Sequence, residues 1–125
     1  MKEVMAIVRT SKVNQTKKAL TGANFPGFTC VACAGRGRKM VDPELLKLIM
    51  ASGDLPLTAA GESLTEATRL ISKRLFTLMV DDHRVQDAVD VLVAVNSTGH
   101  PGDGKIFILP ILESYSVRLG ETCGA

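Results

Sequence analysis

Tryptophan is absent from this sequence, tyrosine occurs once, and aromatic residues make up only 4% of the chain. Proteins that grip single-stranded nucleic acid stack bases on aromatic side chains, so the usual platforms are missing. Charge of one sign is equally scarce: fifteen Lys and Arg stand against thirteen Asp and Glu, a formal net charge of +2. That balance removes the bulk electrostatic case for coating nucleic acid or a membrane surface, and any anion site has to be local. No stretch approaches the roughly 20 consecutive apolar residues that span a bilayer. Met1-Lys2-Glu3 leads into a short amphipathic run instead of a signal-peptide core. The expectation is a cytoplasmic protein with no nucleic-acid partner and no membrane insertion. Cysteine is sparse and odd in number, with Cys30, Cys33 and Cys123, which excludes a closed disulfide framework. Cys30 and Cys33 fit C-x-x-C spacing, but in an extended segment residues three apart face opposite ways, so the pair reads as packing thiols. Internal repeats, linkers and low-complexity tracts are also lacking.

What is present is the composition of a folded domain: 125 residues, 46% hydrophobic and 22% charged, enough for one core and too short for two conventional domains. A single domain over 1–125 is expected. Val4, Ala6 and Val8 alternate with Met5 and Ile7, a strand apolar on both faces and therefore central. Ser11 is placed to cap a short helix carrying Val13, Thr16, Lys17 and Leu20, which Gly22 and Pro26-Gly27 stop. Strands follow over 28–34 and 75–80. Asp82 is placed to cap a second helix with Val85, Ala88, Val89, Leu92 and Val93 at helical spacing. Strand 106–109 and an extended piece near 114–119 complete the chain, within a C-terminal tail from about residue 111. The order βαββαβ predicts an α+β ferredoxin-like fold, with two helices on one face of an antiparallel sheet. Strands apolar on both faces leave the other face to be covered by further copies of the chain.

The connection between the second and third strands, about 36–71, is far longer than a hairpin needs, a length that usually signals function. Asp42-Pro43 reads as a helix start, and Leu45, Leu46, Leu48 and Ile49 put an apolar stripe on the turns that follow. That stripe either caps the domain's own core or seeks a partner.

Gly99-His100-Pro101-Gly102-Asp103-Gly104-Lys105 has the G-x-x-x-x-G-K spacing of a phosphate loop, but Ile106 stands where a magnesium-binding Ser or Thr belongs. The segment also runs from helix into strand, the reverse of a Walker loop, whose helix N-terminus forms part of the site. It is not a Walker A. Glycines that let backbone N–H groups approach an anion, beside a lysine, still suit phosphate; a plain turn would use the same residues.

Thr98-Gly99 followed by Gly102-Asp103-Gly104-Lys105-Ile106-Phe107 resembles the C-terminal signature of the PII nitrogen-regulatory signalling proteins. Gly35-Arg36-Gly37-Arg38 is similar to the glycine-rich start of that family's T-loop, and Arg118-Leu119-Gly120-Glu121 resembles its closing Arg-x-Gly-Glu segment. The resemblance implies a trimer of ferredoxin-like subunits that senses metabolites and acts by binding proteins. ATP or ADP would occupy the clefts between subunits, 2-oxoglutarate and magnesium would join ATP at the loop base, and T-loops would dock on targets. By position, Gly37 and Arg38 flank the nucleotide, with Gly35 in the same segment. Gly102, Gly104 and Lys105 hold phosphates, with Asp103 between them, while Lys73 and Arg118 add positive charge. Lys39 and Lys73 are the candidates for 2-oxoglutarate.

Departures from the family pattern matter too. Lys39 replaces the usual Gln and cannot coordinate a metal, which puts magnesium-assisted 2-oxoglutarate binding in doubt. Ser116 replaces one of two usual Arg residues, and the loop holds no Tyr, so Tyr-uridylylation cannot operate there. A long, Tyr-free T-loop looks like the nitrogen-fixation branch, whose members pair with a paralogue and bind the nitrogenase molybdenum–iron component. An ammonium transporter or another nitrogen-metabolism protein is the alternative target. The competing class is a small acylphosphatase-like enzyme; against it, His83 and His100 neighbour no nucleophile or carboxylate motif.

Overall fold

The structure, a computed structural model, describes residues 1–37 and 69–125. Arg38, Lys39 and the stripe Leu45, Leu46, Leu48 and Ile49 lie outside the described residues. The chain divides into two compact units, Met1–Cys33 with Ser72–Ala125, and Ala34–Ile71. In the second unit a Cβ added at Gly35 or Gly37 would meet nothing within 4 Å.

β1 (Lys2–Arg9) leads through a 3-10 turn into α1 (Val13–Gly22), followed by β2 (Thr29–Gly35), β3 (Ile71–Val80), α2 (Val85–Asn96) and β4 (Gly104–Pro110), all in the first unit except the last two residues of β2 and the first of β3. The sheet order is β2-β3-β1-β4, and β1 is antiparallel to both β3 and β4. Each helix therefore carries the chain past one intervening strand, the split βαβ arrangement read from the sequence. β1 is central, as its two apolar faces require.

Strand alternation sorts the side chains. Val4, Ala6 and Val8 of β1 and Phe76, Leu78 and Val80 of β3 are buried together with Leu20, Phe25, Ala88 and Leu92. The rings of Phe28 and Phe76 lie 5.5 Å apart. Cys30 packs against this core, and all three cysteines are free thiols. On the other face the register aligns Met79–Glu3–Leu109, Thr77–Met5–Phe107 and Leu75–Ile7–Lys105 in rows across three strands. Met79, Phe107 and Leu109 remain exposed there, at 47%, 45% and 37%.

Several local expectations are corrected. Ser11 does not cap α1: a 3-10 turn over Thr10–Lys12 precedes it, and no side chain caps either. Asp82 does not cap α2; it lies in a second 3-10 turn, Asp82–Arg84, and accepts from the chain's terminal ammonium at 2.7 Å. β3 begins at Ile71, four residues before the dense apolar run, because pairing with β1 continues through Lys73. The piece at 114–119 is not one strand. It turns back on itself, pairing β5 (Tyr115–Ser116) with β6 (Glu121–Thr122), with Gly120 at φ 68° in the turn.

The predicted stripe on α2 holds except at its end: Val85 packs on the core and Ala88 and Leu92 are buried, but Val91 and Asn96 join them, whereas Val93 is 49% exposed. Asn96 is held in the core by hydrogen bonds. Its Nδ2 donates to Leu92 O at 3.0 Å and to Thr16 Oγ1 at 3.2 Å, while the Thr16 hydroxyl donates to Lys12 O at 2.8 Å. This satisfied polar pair ties the two helices, and an unpaired amide there would be costly. α1 ends in a Schellman turn: Asn24 is left-handed at φ 65°, and the Phe25 and Asn24 amides donate to Leu20 O and Thr21 O at 2.8 and 3.1 Å. The Arg84 guanidinium covers the Phe25 ring at 4.0 Å and donates to the Ala23 and Asn24 carbonyls, joining the end of α1 to the start of α2.

The helix phase is open to test. Leu92→Ala is expected to destabilise the protein by about 2–5 kcal/mol, and Val93→Ala by less than about 0.5 kcal/mol, in urea unfolding. Equal costs would contradict the packing described.

Candidate functional site

The glycine-rich segment joins α2 to β4, helix into strand, and its backbone is shaped by three glycines at positive φ: Gly99 at 81°, Gly102 at 93° and Gly104 at 122°. One of them, Gly104, has a steric reason to lack a side chain. A Cβ on Gly104 would fall 1.9 Å from the Ile7 carbonyl oxygen, and one on Gly102 would meet the Arg9 guanidinium at 3.4 Å. The loop thus presses its backbone onto the end of β1.

One carboxylate organises it. Asp103 accepts from the Thr98 amide at 2.7 Å, the Gly99 amide at 3.0 Å, the Thr98 hydroxyl, and Arg9 Nη2 at 3.1 Å. Thr98 Oγ1 in turn accepts from the His100 amide at 3.3 Å. Donation from the Thr98 hydroxyl above all, then from the Thr98 and Gly99 amides, with Arg9 nearby, holds the Asp103 carboxyl well below the usual range, at about 2.

Around this knot the sheet register gathers cations. Arg9 is the cross-strand partner of Lys73, Val8 that of Gly104, and Ile7 that of Lys105. Partners in an antiparallel pair share a face, so Arg9, Lys73 and Lys105 all stand at one end of the open sheet face. Arg9 Nη2 also donates to Pro101 O at 2.9 Å, and Lys73 Nζ to Gly102 O at 2.6 Å. Partial burial, with Arg9 beside it, lowers the pKa of Lys73. Lys105 is exposed and, among the described residues, makes no ion pair.

The structure thus brings Lys73, Gly102, Asp103, Gly104 and Lys105 together and does not add Arg118. That residue lies in the turn of the C-terminal hairpin, whose base is at the opposite end of β1: Ile111 N donates to Met1 O, and Cys123 N to Ser114 O. A cavity of about 520 Å³ also opens at that opposite end, between the Asn24–Thr29 turn and residues 77–81. Arg9 was missed in the sequence reading. Its signal is that it falls on the same strand alternation as Met5 and Ile7, but its neighbours appear only once strand order and register are known. The arrangement can neutralise a small polyanion: flexible glycine backbone, one uncommitted ammonium, two further cations, and the one nearby carboxylate internally satisfied.

The model of the family "Nitrogen regulatory protein P-II" matches residues 1–121. The chain is 39% identical over 127 aligned positions to "Nitrogen fixation nifHD region GlnB-like protein 2" of Methanothermococcus thermolithotrophicus, covering 98% of this chain and 94% of the relative. It is 37% identical to the protein of the same name from Methanobacterium ivanovii, covering 98% and 95%. It is 33% identical to "Nitrogen regulatory protein P-II" of Nostoc punctiforme, covering 97% and 95%. The fold and site define a ferredoxin-like module with a cationic glycine loop, and the family it matches is one of signalling regulators, not enzymes. The chain belongs to the P-II family of nitrogen regulatory proteins.

Because the folded-state pKa of Asp103 lies below its ordinary 3.8, its contribution to stability is complete above about pH 4 and is lost as pH falls through about 2. Urea unfolding of wild type and Asp103→Asn between pH 5 and pH 2 checks this. The wild type should lose stability across that window more steeply than the variant; parallel curves would contradict the carboxylate's role.

Proposed function

We propose that the chain is a nitrogen- and energy-status regulator of nitrogen fixation, binding ATP or ADP with its phosphates on the 98–105 loop and acting on a target through the long T-loop at about 36–71. The observation that carries this reading is the loop itself, three positive-φ glycines beside Arg9, Lys73 and Lys105. Gly102, Gly104 and Lys105 hold phosphates, and Arg38, with Gly35 and Gly37, flanks the nucleotide. Cation-to-phosphate contacts of this kind are strongest where partly desolvated.

The site lies between copies, in a trimer of this chain or a hetero-oligomer with a paralogue. Supporting this, Lys105 stands at one end of the sheet, whereas the hairpin of Arg118 and the cavity beside residues 77–81 are rooted at the other, roughly 20 Å away along β1. The open face, with exposed Met79, Phe107 and Leu109, suits burial between subunits. A protein named "GlnB-like protein 1" from Methanothermococcus thermolithotrophicus, 35% identical to this chain, is of the kind that would serve as paralogue. The compartment is the cytoplasm, in keeping with the lack, among the described residues, of any helix long and apolar enough to cross a membrane.

The target is the nitrogenase molybdenum–iron component, a reading supported by the nitrogen-fixation names of the relatives. Leu45, Leu46, Leu48 and Ile49 form the docking stripe. 2-Oxoglutarate binds weakly through Lys39 and Lys73. Lys39 has no lone pair for a cation, so this donor set does not fit magnesium.

Titration calorimetry tests the phosphate site: Lys105→Ala should weaken ATP binding by about 1.5–3 kcal/mol, with unchanged affinity sinking the assignment. In the same titrations with MgATP, Lys39→Gln should tighten 2-oxoglutarate binding. Leu45→Asp with Leu48→Asp should leave a stable, ATP-binding oligomer that no longer inhibits nitrogenase. Full inhibition by that variant, or its unfolding, would show that the stripe is not the docking element.

A further inference from the structure

Arg9 is half-buried where β1 ends, and both of its hydrogen bonds go to the glycine-rich loop, to Pro101 O at 2.9 Å and Asp103 Oδ1 at 3.1 Å. Gly102 lies beside its guanidinium: a Cβ there would stand in ordinary contact, 3.4 Å from Nη1 and Nη2. The next carbonyl, Gly102 O, is taken by Lys73. Two consecutive carbonyls, which would repel an anion, are therefore held by cations of the sheet. Asp103, gripped on one side by Arg9, holds the Thr98 and Gly99 amides on the other.

We propose that Arg9 and Asp103 form a positioning pair that sets the loop's shape, so that Arg9 governs polyphosphate affinity through the loop and not by touching the ligand. This rests on the reading of residues 98–105 as the phosphate site. Both bonds leave one nitrogen, Nη2, while the rest of the guanidinium fills the space beside Gly102, where a Cβ would stand 3.4–3.6 Å from Nη1, Nη2 and Cζ; a lysine ammonium carries the charge without that broad group. Apart from Arg9, the carboxylate of the pair accepts from three donors of its own loop, the Thr98 amide and hydroxyl and the Gly99 amide.

The test uses the full chain with ATP as probe, in calorimetric titrations of wild type, Arg9→Lys, Arg9→Met, Asp103→Asn and the Arg9→Met/Asp103→Asn double variant. Lys105→Ala serves as reference. Amide hydrogen exchange at Thr98 and Gly99 is followed without ligand. Each single variant should lose about tenfold in ATP affinity, and the double variant no more than the weaker single one. Arg9→Lys should recover little, and the Thr98 and Gly99 amides should exchange faster in every variant of the pair, by more than amides in the buried strands of the same variant do. Wild-type affinity in Arg9→Lys, or losses that multiply in the double variant, would make Arg9 a direct charge contact and overturn the proposal. Unaltered exchange at Thr98 and Gly99 in Arg9→Met would overturn it as well. Should Arg9→Met not fold, Arg9→Lys and Asp103→Asn decide by the same readings. Unchanged ATP affinity in Lys105→Ala would instead remove the phosphate-site reading, leaving the exchange rates to judge the pair.

Discussion

The contact between the 98–104 backbone and the end of β1 constrains everything around it. Gly104 can pair with Val8 only because it has no Cβ to strike the Ile7 carbonyl oxygen. Once β4 is seated there, the preceding residues have to turn within a few positions from the end of α2 into the strand. Positive-φ glycines make that turn possible at little steric cost, and Asp103 makes it specific by drawing the Thr98 and Gly99 amides onto one carboxylate. The same carboxylate reaches Arg9 on β1, so loop, helix end and sheet are joined at one point. The proposed anion site draws on the same geometry: the sheet supplies Lys73 and Lys105, and the loop's carboxylate is occupied by donors of its own loop and by Arg9.

The two faces of the sheet divide the work of the molecule. Val4, Ala6 and Val8 face the helices, with Ala6 between Phe76 and Ile106 in the register, a small residue in the middle of the packed face. The opposite face carries apolar rows that end in Arg9, Lys73 and Lys105. An apolar surface that finishes in a cationic edge suits the proposed trimer, because burying the rows brings a neighbouring copy beside the glycine loop. Coupling between ligand and target then requires no strain in the core. In the proposed function, a ligand bound beside the glycine loop acts by favouring one arrangement of the T-loop over others.

Much of this was legible in the sequence, and the parts that were not share a cause. The central strand, both helices and the βαββαβ order follow from alternation and helical spacing, because burial of apolar faces decides them. The caps failed: Ser11 and Asp82 are good cap residues by type, but 3-10 turns lead into both helices and Asp82 is taken by a distant ammonium. On α2, Val85, Ala88 and Leu92 face the core as their spacing requires, but Val93 does not, and a pattern of hydrophobic residues cannot reveal that Asn96 is buried against Thr16. Gly102, Gly104 and Lys105 were visible as a motif, whereas Arg9 emerged only from strand register, and the service of Asp103 to its own loop only from hydrogen bonds. The hairpin at 115–122 is local in sequence, yet Tyr115-Ser116 and Glu121-Thr122 are too short to carry a periodic signal.

The central claim is that an anion site begun by the glycine loop of one chain is completed by the C-terminal hairpin of another. Mixed oligomers of Lys105→Ala chains and Arg118→Ala chains test it most directly, with ATP binding measured by calorimetry before and after subunit exchange. If the two residues meet across a subunit boundary, exchange creates some junctions with both residues intact, and wild-type-affinity sites reappear in a fraction of the population. If Lys105 and Arg118 served the same site within one chain, every site in the mixture would keep a defect, and the absence of any restored site would contradict the claim.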